Sequence, residues 1–110
     1  IHLALRWQRQ DGPTLETDYT VFAHLLDRQG QLRGQSDGQP SGGRYPTSIW
    51  LPGETVDDEH TIQVPEDGQP GEYILAVGLY DAISGARLPV IGPGGRTIDD
   101  KVVLRSIEVK

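Results

Sequence analysis

Residues able to do chemistry are few in this chain, and their spacing does not favour catalysis. His2, His24 and His60 lie in or beside strand-like runs, at separations that no His-x-His or His-Glu-x-x-His metal motif uses. Ser41, Ser48 and Ser84 sit in turns, where hydroxyls bond the local backbone, and none occupies a Gly-x-Ser-x-Gly elbow. Asp57-Asp58-Glu59 and Asp99-Asp100 set carboxylates side by side, but neighbours along a strand face opposite ways, so adjacency does not bring two of them to one bond. No catalytic residue is assigned, no cofactor is expected, and the chain reads as non-enzymatic.

Binding chemistry has better candidates. Calcium needs several oxygens around one point, and Asp37, Asp57, Asp58, Asp99 and Asp100 are the residues that could supply them, without any Asp-x-Asp-x-Asp-Gly loop to gather them. A sugar needs an aromatic ring to stack on, with amides and carboxylates for its hydroxyls. Trp50 and Tyr45, with Arg44 and Asp37 near in sequence, form the one such group. The competing expectation is that Trp50, flanked by Ile49 and Leu51, anchors its own loop over the core. Trp7 is expected in the core, and Asp81 and Arg87 are expected to pair across the turn between them.

Bulk composition narrows the partners. The net charge of −6 and pI near 4.8 offer no electrostatic footprint for a phosphate backbone, so nucleic acid is not an expected partner. Cysteine is absent, which removes disulfides, thiolate nucleophiles and zinc–thiolate sites. No apolar run approaches the roughly 18 residues that span a bilayer. With 110 residues the chain suits a single core, and its 14 Gly and 8 Pro suit short strands joined by frequent turns.

Those strands can be placed. Ile1 to Gln8 alternates, with Ile1, Leu3, Leu5 and Trp7 on one face. Tyr19 to Asp27 and Leu32 to Asp37 form a hairpin around Arg28-Gln29-Gly30-Gln31. A Gly- and Pro-rich connection from Ser36 to Glu54 follows, long enough to be a place for function. Thr55 to Val64 resumes alternation with Val56, Ile62 and Val64 inward. Gly71 to Asp81 is apolar on both faces and therefore central, while Pro89 puts Arg87 to Val90 at an edge. In Lys101 to Val109 the apolar parity switches, which predicts a bulge near Arg105-Ser106.

About six to eight strands without helical periodicity predict an all-β, antiparallel sandwich of the immunoglobulin or fibronectin-III kind, forming one domain over residues 1–110. Pro70-Gly71-Glu72-Tyr73 resembles a tyrosine corner, which makes Gly71 to Asp81 the sixth strand of that topology and Ile1 to Gln8 the second. The first strand is then missing and the chain reads as a fragment. An open sheet edge invites another strand, including one from a second copy.

Tyr19-Thr20-Val21-Phe22-Ala23-His24-Leu25-Leu26-Asp27, Asp37-Gly38-Gln39-Pro40 through Pro46 to Glu54, and Gly71 to Asp81 with Gly85-Ala86-Arg87-Leu88-Pro89 together resemble a known pattern. It is the C-terminal soluble β-sandwich of large bacterial polytopic membrane proteins similar to lipid-linked-sugar glycosyltransferases of the protein-mannosyltransferase type. The resemblance covers residues 19 to 90. It implies an accessory domain on the extracytoplasmic face of a bacterial membrane, whose partners are other domains of the parent protein. A carbohydrate-binding module built on the Tyr45/Trp50 loop is the alternative, with a glycan as partner.

Overall fold

The computed structural model describes residues 1–12, 15–64 and 70–109. Eight strands follow in order: β1 (His2–Gln8), β2 (Thr20–Leu26), β3 (Leu32–Gly38), β4 (Thr55–Thr61), β5 (Gly71–Tyr80), β6 (Val90–Ile91), β7 (Thr97–Asp99) and β8 (Val102–Val109). β1 and β4 form one antiparallel sheet, and β3-β2-β5-β8 form a second, larger one. This division matches the immunoglobulin or fibronectin-III split, with the apolar β5 between β2 and β8 as its sequence demands. β6 and β7 make a small separate ladder.

Alternation decides which side chains meet. Val21, Ala23 and Leu25 of β2 and Tyr73, Leu75 and Val77 of β5 point from the large sheet into the core. Val56 and Ile62 cover them from the small sheet's side. A fully buried Leu25, Ile62 or Leu75 contributes roughly 1.5–3 kcal/mol over an exposed one. β3 passes close to the chain just beyond β4: a Cβ on Gly34 would lie 2.8 Å from both Gln63 O and Ile62 Cγ2, so only glycine fits.

The opposite margin is open. Ile1 and Ile62 exchange both backbone hydrogen bonds, at 2.6 and 2.8 Å, which sets Leu3, Leu5 and Trp7 as the β1 residues whose backbone faces β4. The backbone N–H and C=O of His2, Ala4 and Arg6 therefore point to the other side, where no strand pairs with β1 among the described residues. Ile1, Leu3, Leu5 and Trp7 pack on the core yet stay only partly buried.

Several expectations are corrected. Val64 does not face inward: β4 ends at Thr61, and Val64 is exposed. The expected bulge is present, with Leu104 beside Arg105 as its extra residue, since Leu75 pairs with Arg105 and Ala76 with Val103. That extra residue lets Val102 and Ile107, an odd five positions apart, sit opposite the inward Val77 and Tyr73. Arg87 to Val90 is not one strand; Arg87 makes an isolated bridge to Tyr80 and the ladder begins only at Val90. Tyr73 is buried in the core as a tyrosine corner requires, and the preceding connection, 65–69, lies outside the described residues.

Candidate functional site

The long connection turns out to be an anchor. Two short 3-10 turns, Pro40–Gly43 and Thr47–Ile49, fold it back onto the sandwich. Trp50 is 4% exposed, its Nε1–H donates to Tyr45 O at 2.8 Å, and its carbonyl accepts Arg9 Nη1. It therefore has no free face on which a sugar could stack. Tyr45 donates its hydroxyl to Glu54, whose other oxygen accepts the Leu51 N–H at 2.9 Å. Those bonds hold the Glu54 carboxyl below its ordinary range, the Leu51 N–H most strongly, and push the Tyr45 phenol up. Arg44 is exposed at the end of the first turn.

A second polar group lies inside the sandwich. Asp58 is 2% exposed; its Oδ2 accepts Trp7 Nε1–H at 3.2 Å and faces His60 Nε2 at 2.8 Å, while its Oδ1 accepts the Ser41 N–H at 3.0 Å. His60 Nδ1 meets Ser36 Oγ at 3.0 Å. This Ser-His-Asp order could suggest a nucleophile. The imidazole is buried, and the carboxylate it faces also accepts an indole N–H and a loop N–H. The network ties β1, β3, β4 and the Pro40–Gly43 turn together, and every member has a partner.

Sequence reasoning passed over this group, although β4 carried the signal. Residues 56, 58, 60 and 62 share parity, so inward Val56 and Ile62 oblige Asp58 and His60 to face inward as well. Ser36, on another strand, had no such signal.

The calcium candidates do not converge, and among the described residues no three carboxylates or imidazoles gather as a metal site. Asp57 faces away from Asp58 and accepts Arg6 Nε–H at 2.8 Å, which holds its carboxyl below the ordinary range. Asp99 Oδ1 caps the Asp100 N–H and pairs with Lys101; Asp100 pairs with Arg87 at 3.3 Å. The expected Asp81–Arg87 pair is thus replaced. Asp81 instead caps the Ile83 N–H within its own turn.

Asp37 belongs neither to the Trp50 loop nor to a metal site. It projects from β3 onto the outer face of the large sheet, where Phe22 is its register partner and His24 lies opposite Gln35. Tyr80 donates its hydroxyl to Asp37 Oδ2 at 3.1 Å, and His24 Nε2 stands 3.7 Å from Asp37 Oδ1. Arg87 lies over the Phe22 ring, 4.3 Å from its centroid. Phe22 is only 1% exposed, with Arg87 over its ring and His24 beside it, and Gly78 makes room: a Cβ there would lie 2.4 Å from the ring. The result is a hollow of about 250 Å3 on the sheet's outer face.

Comparison with known protein families, curated proteins and solved structures finds no match.

Proposed function

We propose that this chain is a non-catalytic accessory β-sandwich of a bacterial membrane glycosyltransferase-like protein, set on the extracytoplasmic side and docked against neighbouring parts of its parent. The observation that carries this reading is the open β1 edge. The outward N–H and C=O groups of His2, Ala4 and Arg6 form a template for an added strand, beside apolar residues that are only half covered. Support also comes from the internal use of the Asp58–His60–Ser36 array, which leaves the reactive side chains engaged with the fold. No helix among the described residues is long and apolar enough to cross a membrane.

Ala4→Pro tests the reading. Its N–H points away from β4, so an edge proline is tolerated in the isolated chain while the strand template is broken. The expected result is a small change in melting temperature for the isolated chain, with loss of transferase output or protease release of the domain in the parent. Unchanged transfer and unchanged protease resistance in the parent would overturn it, as would glycosyl transfer by the isolated chain.

A further inference from the structure

We infer that the outer-face hollow formed by His24, Gln35, Asp37, Tyr80 and Arg87 binds one uncharged sugar ring. The inference is independent of docking at β1, because the hollow lies on the large sheet and involves no residue of the small one.

The site is built by the register. β3 presents Gln35 and Asp37 on the face where β2 presents Phe22 and His24, and the bridge between Tyr80 and Arg87 adds the last two polar groups. Its donors and acceptors are mixed. Asp37 accepts, Arg87 donates, and Gln35, Tyr80 and a neutral His24 each do both. Adjacent ring hydroxyls, each a donor and an acceptor, suit such a set. The 3.7 Å gap between His24 Nε2 and Asp37 Oδ1 is too long for a direct hydrogen bond. A single hydroxyl fits there, donating to Asp37 and accepting from Nε2–H.

Charge excludes the obvious alternative. Arg87 is paired with Asp100, the Asp37 carboxylate lines the same hollow, and burial keeps His24 from protonating readily, so the hollow has no surplus cation to hold a phosphate or carboxylate. Size restricts the ligand further. About 250 Å3 falls below the roughly 300–1,000 Å3 of pockets for drug-sized molecules, and suits one ring better than an oligosaccharide or a peptide. Phe22 is capped by Arg87, so the grip comes from hydrogen bonds. A ligand of about a dozen heavy atoms then binds with a dissociation constant on the order of 1 mM.

The test is a nitrogen–proton NMR titration of the chain with the methyl glycosides of glucose, galactose, mannose and N-acetylglucosamine, and with inorganic phosphate. At least one glycoside should give saturable shifts at Gln35, Asp37, Tyr80 and Arg87, and phosphate none there. Asp37→Asn should weaken that binding about tenfold, as loss of a charged hydrogen-bond acceptor does. Gln35→Ala, at an exposed position on the edge strand, should weaken it with the rest of the spectrum unchanged, which guards against a misfolded Asp37 variant. Absence of saturable shifts with all four glycosides, shifts confined to Tyr45 and Trp50, tighter binding of phosphate, or undiminished affinity in both variants would overturn the inference.

Discussion

Asp58 Oδ2 lies 2.8 Å from His60 Nε2 inside the sandwich, on the same face of a strand whose other inward residues are apolar. The pair is a structural keystone, because the same carboxylate also holds the Trp7 indole and the loop N–H of Ser41.

Removal of that carboxylate should therefore unfold the chain far more readily than its surface acidity suggests. Asp58→Ala strands two donors and the imidazole, at a cost of about 3–5 kcal/mol. The neighbouring Asp57→Ala breaks an exposed pair with Arg6 and should change stability little. Urea unfolding of the two variants measures the contrast, and equal midpoints would contradict the assignment.

Gly78 should resist substitution. A methyl group there would drive into the Phe22 ring, and Gly78→Ala is expected to cost about 1–3 kcal/mol through overpacking. It should also unseat Arg87, which rests on that ring. The check is thermal unfolding together with the side-chain NMR signals of Arg87; a wild-type melt with unmoved signals would show that the ring has room to shift.

Acidification should weaken the fold through His24. Its imidazole, with 14% of the side chain exposed and the Phe22 ring 4.7 Å away, is held below the ordinary value by burial; Asp37 opposes the shift and Arg87 adds to it. The unfolded chain takes up the proton more readily, so this contribution is complete above about pH 6.5 and declines as pH falls through that value toward the lower folded one. Melting curves from about pH 7.5 to 5.5 should slope less steeply for His24→Gln than for wild type. Parallel curves would remove His24 from the explanation.

The sequence made the architecture legible where alternation was strong. β1, β2 and β5 fall within a residue or so of their expected places because each carries an uninterrupted apolar face. The two-residue β6 and three-residue β7 were not legible, since a ladder that short has no period to read. The apolar neighbours of Trp50 leave two roles open in the sequence, and its burial with the hydrogen bond to Tyr45 O shows that the ring anchors the loop. Asp37 was singled out, but with the wrong companions. Proximity in sequence suggested Tyr45 and Trp50, whereas strand pairing brings it to His24 and Tyr80, residues 13 and 43 positions away.

Docking at β1 is tested most directly by amide hydrogen exchange along that strand, in the isolated chain and in the intact parent protein. In the isolated chain Leu3, Leu5 and Trp7, bonded to β4, should exchange slowly, and Ala4 and Arg6 quickly. In the parent, Ala4 and Arg6 should become as protected as their neighbours. If they exchange equally fast in both, the edge receives no strand and the accessory docking role is contradicted.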